Sequence, residues 1–322
     1  MGWAVSAPDV VLLGEVLLEL SSLEPLTQGA TLRLGISGDA LNAAAAAAAG
    51  AHVALVTRVP DDELGDQLVQ GVGELGVDTS WIIRAPGQHG LYFSHADPLG
   101  ARQFTYVRRG STASKLGIAD LDEGLLQSAG VVMASGVACA VSDTMAAAVA
   151  RAAQVARRFV YDPNFRPRLT TPFAAAAVLH RLAPLADVVT PSWPDEAHHL
   201  LGLAADASLE DAIRGFAALG PRVVVLTRGP DGAVVAAEGS VTAVPGVPAP
   251  VLVDQTGAGD CLAGTLAARL ALGDPLLDAV ALATAAAALS VGGQGGTGRV
   301  PTLTETRAAL AAARPVEELN PQ

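Results

Sequence analysis

Val253-Asp254-Gln255-Thr256-Gly257-Ala258-Gly259-Asp260-Cys261-Leu262-Ala263-Gly264 is the stretch on which the reading of this chain turns. Val251, Leu252 and Val253 make a short apolar run that reads as the end of a strand. Residues 261–272 are rich in Ala and Leu, contain no proline and read as a helix. Between them, Gly257 and Gly259 let the backbone turn tightly and keep Cβ atoms out of a ligand's way. The first N–H groups of the helix then point outward at the positive end of its dipole, where a phosphate or a developing oxyanion is welcome. Asp260 puts a carboxylate where an anion should bind. One reading makes it a base that takes a proton from a hydroxyl about to attack a phosphoryl group. The other makes it a helix N-cap with glycines for turning. These local residues leave both open.

The chain of 322 residues can bury a large core, as one big α/β domain or a domain with an appendage. Its hydrophobic content of 51% and mean hydropathy of +0.40 are inflated by alanine. No window of membrane-spanning length is uniformly apolar, and Met1-Gly2-Trp3-Ala4 lacks the basic start of a signal peptide. Cys139 and Cys261 are too few and too far apart for a disulfide framework or a zinc site. These features predict a soluble, cytoplasmic protein. A net charge of −12 argues against nucleic acid, which demands a basic footprint. Lysine occurs once, at Lys115, so no lysine follows a glycine as a Walker-type phosphate loop requires. Phosphate chemistry here must rest on backbone N–H groups and arginine.

Read in order, 10–13 is a first apolar strand, and 16–20 and 30–34 are shorter alternating strands. A long alanine helix opens at Asn42 and closes at Gly50; strand 53–56 and an amphipathic helix over 62–75 follow. Segments 90–94 and 103–108 alternate in polarity around Pro98-Leu99-Gly100, which predicts a hairpin with one wet face. With 16–34 this hairpin forms a candidate small sheet projecting from the main domain. Strands at 131–134, 159–162, 188–190 and 223–227 then alternate with helices at 142–157, 171–183, 196–201 and 209–219. Such alternation demands a parallel sheet covered on both faces. Disorder is expected only in the last few residues.

Ser37-Gly38-Asp39-Ala40-Leu41-Asn42 sets small residues before a helix, with Asp39 and Asn42 at its mouth to meet a hydroxylated ligand or simply to cap it. Together with Val59-Pro60-Asp61-Asp62-Glu63-Leu64-Gly65 and residues 254–264, in this order and spacing, it resembles the ribokinase-like (PfkB) sugar kinases over nearly the whole chain. The resemblance implies an α/β fold: a parallel-sheet core covered by helices (1–14, 37–84 and 110–322) carrying ATP, and a small β lid (15–36 and 85–109) over the sugar. It implies Asp260 as catalytic base, with Gly257, Ala258 and Gly259 as the anion hole. Gly90-Leu91-Tyr92, Tyr106-Val107-Arg108-Arg109-Gly110-Ser111 and Asp162-Pro163-Asn164-Phe165-Arg166 resemble the members that act on 2-keto-3-deoxygluconate. A sugar acid carries a carboxylate, and an acidic protein needs arginine forks to bind it. Arg108 and Arg166 stand where these would be.

The resemblance further assigns Gly38, Asp39, Asn42, Tyr92, Tyr106, Arg108 and Arg166, with Asp260, to the sugar. It assigns Asn164, Arg166, Thr227, Arg228, Gly229, Gly232, Gly257–Gly259 and Thr284 to the nucleotide, and Glu196 to Mg²⁺ through water. Without it, Thr227–Gly232 reads as a β-turn into the next strand, Asp162-Pro163-Asn164 as an ordinary turn and Arg108-Arg109 as a solvated strand end. The chain departs from the family at Ser37, where a glycine is usual, at Gln255, and before Glu196, where an asparagine is missing. His198-His199 diverge by about 100° on a helix and read as surface. The expectation is an ATP- and Mg²⁺-dependent kinase of a sugar acid, with no nucleic-acid or membrane partner. Tyr92, Phe104 and Tyr106, as exposed apolar lid faces, would suit a homodimer. A kinase of fructose or another neutral ketose, and a non-catalytic sugar or nucleotide sensor on the same fold, are the alternatives.

Overall fold

Val10 and Leu12 pack into one hydrophobic cluster, Val11 and Leu13 into another, and all four are buried. A strand that is apolar on both faces belongs inside a covered sheet. The computed structural model describes residues 7–22, 24–97 and 102–313. Strands β1 (Val10–Leu13), β2 (Leu17–Ser21) and β3 (Arg33–Ser37) lead to helix α1 (Asp39–Ala48), then β4 (Val53–Pro60) and α2 (Glu63–Glu74). Three strands follow: β5 (Ile82–Ala85), β6 (Leu91–Ala96) and β7 (Arg102–Val107). The middle alternates through α3 (Glu123–Ser128), β8 (Val131–Ser135), α4 (Gly136–Val141), α5 (Asp143–Val155) and β9 (Phe159–Asp162). It continues with α6 (Pro172–Leu182), β10 (Val188–Val189), α7 (Asp195–Leu201), α8 (Leu209–Ala218) and β11 (Val223–Thr227). Strands β12 (Ala233–Ala237) and β13 (Ser240–Val244) precede α9 (Ala258–Ala271), α10 (Leu276–Ser290) and α11 (Leu303–Ala313).

The large sheet runs β13-β12-β11-β10-β9-β8-β1-β4-β5. It is parallel from β11 to β5, and β12 and β13 add an antiparallel edge that the helix–strand alternation did not predict. The chain leaves β1 toward β4 on one side and reaches β8 on the other, so strand order reverses at β1. Ligands of open α/β sheets bind outside the carboxyl ends of the strands at such a reversal. The second sheet, β3-β2-β6-β7, is mixed: β2 and β6 pair in parallel, between two antiparallel pairs. It is the small separate sheet that was expected, built from strands within residues 17–37 and 91–107.

Alanine explains how the helices fit beneath the site. Residues Ala40 to Ala47 of α1 are all buried, which suits a helix apolar around its whole circumference. Helix α9 lies against it so closely that a Cβ on Gly264 would overlap the Ala43 carbonyl. The Val59–Gly65 motif is structural in the same way. Asp62 caps α2 by accepting from the Gly65 N–H at 2.8 Å, and its carboxylate also holds His89 Nε2 at 2.9 Å, just before β6.

Four expectations need correction. Val251, Leu252 and Val253 are not a strand; they are 54–62% exposed. The amides of Val253 and Asp254 both turn to the Val291 carbonyl, at 2.8 and 3.0 Å, behind the end of α10. Helix α9 starts at Ala258, three residues early, because glycine is accepted in its first turn. Strand β3 runs to Ser37, since Leu34 and Ile36 continue the alternation in register with β2. Tyr92 is 4% exposed, and Tyr106 and Phe104 are half-buried, so these three rings are not the exposed apolar face expected of them. Their rings instead cluster, with centroids 5.8–6.4 Å apart. The expected Pro98-Leu99-Gly100 turn and the expected disorder at the C-terminal end fall outside the described residues.

Candidate active site

Asp260 is the third residue of α9 and is buried. It is not the N-cap: that position is Gly257, in the left-handed region at φ 81°, with no capping side chain. The two carboxylate oxygens are held instead by amides from distant elements. Asn42 Nδ2 donates to Oδ2 and Asn164 Nδ2 to Oδ1, each at 2.8 Å. Ser37, one of the departures from the family, donates from Oγ to Asn42 Oδ1 at 3.1 Å and so aims the Asn42 amide. Asn164 reaches its place from a left-handed backbone, φ 44°, which asparagine tolerates better than most residues. Burial raises the Asp260 pKa above the ordinary carboxylate value, and the positive Arg166 and the two amides partly offset this. A fixed carboxylate with a raised pKa is a suitable proton acceptor.

The turn in front of Asp260 is also fixed. Asp254 Oδ1 accepts from the Thr256 N–H at 3.0 Å and from its hydroxyl at 2.8 Å, while Oδ2 accepts from the Gly295 N–H at 2.7 Å. Gln255 is exposed, so this second departure leaves the turn intact. A Cβ on Gly257 would come within 3.0 Å of Gly296 Cα, whereas one on Gly259 would meet nothing within 4 Å. Gly259 therefore faces open space at the helix mouth. Of the expected anion-hole amides, that of Ala258 already donates to the Gln255 carbonyl at 3.2 Å.

Residues expected to meet the sugar gather near the carboxyl ends of β1, β8 and β9. Gly38 is required there: its φ is 134°, and a Cβ would lie 2.5 Å from the Glu15 carbonyl. Asp39 accepts a short hydrogen bond from Ser135 Oγ at the end of β8. Its pKa is pushed up to about 6, first by burial and then by the negative charge of Asp260. Arg166 is exposed, donates Nη1 to the Phe165 carbonyl at 3.2 Å and is attracted to Asp39 and Asp260. Arg108 is buried, with its guanidinium 5.4 Å over the Tyr106 ring. Burial, and then the like charge of Arg166, lower its pKa to about 10. The two arginines are thus near enough to feel each other's charge. Arg108 is not a free fork, however, because Nη2 is paired with the fully buried Glu15. Tyr92 lines the same side, its phenol pushed well above the ordinary value by burial and by Glu19.

Of the residues expected to meet the nucleotide, one group lies farther along the sheet edge. Thr227, Arg228, Gly229 and Gly232 make the turn from β11 to β12, closed by the Arg228 N–H donating to the Gly232 carbonyl at 2.7 Å. Both glycines have positive φ. This is a β-turn into the next strand, and the two readings of the segment are compatible. Thr284 is buried on α10 and donates its hydroxyl to the Ala281 carbonyl at 2.8 Å, so it offers a wall rather than a donor.

Glu196 binds two backbone amides, Phe165 N–H at 2.5 Å and Ser192 N–H at 2.7 Å, and burial raises its pKa. Asp162 is close enough for mutual repulsion and is raised well above the ordinary value, again mainly by burial. No group of three His, Cys, Asp or Glu side chains among the described residues is placed to hold a metal ion. Glu196 and Asp162 are two neighbouring carboxylates of the oxygen-donor kind that Mg²⁺ takes, few at a time and alongside several waters. His198 and His199 turn apart, to the Leu203 and Asp195 carbonyls, as expected.

Four residues beside the site were given no role by the sequence reading. Glu15, Ser135 and Asp162 each end or follow a β-strand at the sheet reversal, which is the signal that could have found them. Arg168 had none. It donates to the Phe104 carbonyl and, at 3.1 Å, to Gln103 Oε1, tying the core to lid strand β7.

The chain matches the pfkB family carbohydrate kinases over residues 7–303. It is 35% identical over 312 residues to the 2-dehydro-3-deoxygluconokinase of Thermoproteus tenax, covering 94% of each chain. It is 26% identical to the 5-dehydro-2-deoxygluconokinase of Shouchella clausii, covering 93% of this chain and 94% of that one. A solved E. coli structure described as a ribokinase II in complex with ATP and Mg²⁺ superposes with a TM-score of 0.84 at 26% identity, covering 94% of this chain and 99% of that one.

Proposed function

Because the chain belongs to the pfkB family of carbohydrate kinases, it is a phosphotransferase acting on a sugar hydroxyl, and we propose that this sugar is an acid, 2-keto-3-deoxygluconate. The observation that carries the proposal is Asp260, clamped between Asn42 and Asn164, with the charge of Arg166 close enough to act on both Asp260 and Arg108. The carboxylate end of the sugar lies toward the arginines, Tyr92 and Tyr106 pack along it, and Asp39 and Asn42 take its hydroxyls. The terminal hydroxyl meets Asp260, which removes its proton as the oxygen attacks the γ-phosphorus of ATP and the bond to the β–γ bridging oxygen breaks, so that ADP leaves. Gly257, Ala258 and Gly259 let that phosphoryl group approach the positive end of α9, which stabilises its charge. Thr227, Arg228, Gly229 and Gly232 border the phosphates and ribose, Asn164 and Arg166 reach the phosphates, and Thr284 walls the base. Glu196 and Asp162 would hold Mg²⁺ through water, and the ion would neutralise charge between the phosphates. Segments 15–36 and 85–109 close as a lid over the core and exclude water, which would otherwise accept the phosphoryl group. The work is cytoplasmic, as suits two free, buried cysteines. None of the described helices is long and apolar enough to cross a membrane.

One observation favours the second reading, a neutral-ketose kinase. The Glu15–Arg108 pair cancels one of the two positive charges, which a sugar acid needs and fructose does not. A coupled ADP-release screen decides between them. The proposal predicts the highest kcat/KM for 2-keto-3-deoxygluconate or its galactonate epimer, with fructose and ribose well below. A maximum at fructose would put the ketose reading in its place.

A further inference from the structure

Glu15 lies between β1 of the core and β2 of the lid, on the chain's first crossing between the two sheets. Arg108 follows β7, where the chain leaves the lid again. Their ion pair therefore joins two crossings. Glu15 has no exposed surface and the Arg108 side chain only 9%, so each is a charge that burial would penalise heavily if its partner were missing. The pairing is one-ended: Glu15 Oε2 and Arg108 Nε have no hydrogen-bond partner among the described residues. Glu15 also touches the sugar turn through its main chain, because its carbonyl is what forbids a side chain at Gly38, beside Asp39.

A guanidinium carries five N–H donors in one plane, so whatever holds one edge decides where the others point. Arg108 already rests on the Tyr106 ring, which fixes its tilt but not its rotation in the plane. We propose that Glu15 is a positioning residue that fixes this rotation, holding Nη2 so that the remaining donors of Arg108 face the substrate carboxylate. The inference rests on the sugar-acid reading above. The pair has no net charge, so Arg108 recognises the acid by directed hydrogen bonds, and the long-range attraction falls to Arg166.

The test is steady-state kinetics on 2-keto-3-deoxygluconate and fructose for wild type, Glu15→Met, Glu15→Gln and the double variant Glu15→Met with Arg108→Met. ATP calorimetry on each variant confirms a folded nucleotide site. Glu15→Met should raise KM for the acid roughly 10- to 100-fold, the worth of a hydrogen bond to a charged group, with kcat and the fructose parameters changed by less than about threefold. Glu15→Gln, which keeps an acceptor oxygen, should recover most of the loss. Adding Arg108→Met to Glu15→Met should cost little more, since an unoriented Arg108 no longer contributes. Equal losses on acid and fructose in Glu15→Met, or a double variant far worse than Glu15→Met, would overturn the proposal while a wild-type preference for the acid stands. A wild type that prefers fructose would overturn the acid reading and this inference with it.

Discussion

Asp260 shows how much a single carboxylate depends on its neighbours. Its position in the first turn of α9 alone would suit an acidic residue that complements the helix dipole, but the Asn42 and Asn164 amides occupy its oxygens and burial raises its pKa. Asp260→Asn should keep the fold and ATP binding yet lower kcat by roughly 10²–10⁴, the usual worth of a general base. Purified variant with near-wild-type turnover would remove Asp260 from that role. The acid limb of the kcat/KM profile should accordingly lie above the ordinary carboxylate range. Asp39 gives a second prediction, on stability. Its pKa rises from 3.8 to about 6 on folding, so between these values the native state binds more protons than the unfolded chain. Stability from this group is therefore greatest at low pH and is lost as pH climbs through about 6. Asp39→Asn should raise the Tm at pH 7.5, by roughly 1–2 °C for each kcal/mol relieved, and should flatten the gain seen on acidifying to pH 5.5. A Tm that falls in the variant at pH 7.5 would count against this account.

At the scale of elements, α9 carries two glycines with opposite duties. Gly264 is where α1 and α9 touch, and a Cβ there overlaps the Ala43 carbonyl; Gly259 opens on empty space. Gly264→Val should destabilise the protein by about 1–3 kcal/mol or more, as overpacking does. Gly259→Val should leave the Tm within a few degrees and weaken ATP binding roughly tenfold or more, because its side chain fills the mouth of the helix. Calorimetry and thermal melts on the pair separate the two effects, and unchanged ATP affinity in Gly259→Val would place the nucleotide elsewhere. This distinction was not legible in the sequence, where both residues are simply glycines near an aspartate. The helix itself was legible, but not its start, since glycine discourages a helix assignment where a ligand-facing turn requires it. The 251–253 run misled for a related reason. Three apolar residues look like a buried strand, yet the Val253 amide is bonded to the end of α10 and all three side chains are exposed.

Across the whole molecule, the sequence showed the parallel core, the separate small sheet and most strands to within a residue or two, because each rests on local periodicity. It did not show what depends on distant partners: the antiparallel β12–β13 edge, the burial of Tyr92, the Arg168 link between core and lid, or the Glu15 partner of Arg108. Charge also acts at this scale. A chain of net charge −12 repels a sugar acid unless arginine reverses the field locally, and Arg166 is the exposed cation that faces both Asp39 and Asp260. The most direct measurement is therefore kcat/KM for 2-keto-3-deoxygluconate and for fructose, in wild type and in Arg166→Ala. The account predicts that wild type prefers the acid and that the variant loses about one to two decades on the acid, with much less loss on fructose. A wild type that prefers fructose, or a variant that loses both substrates equally, would contradict it.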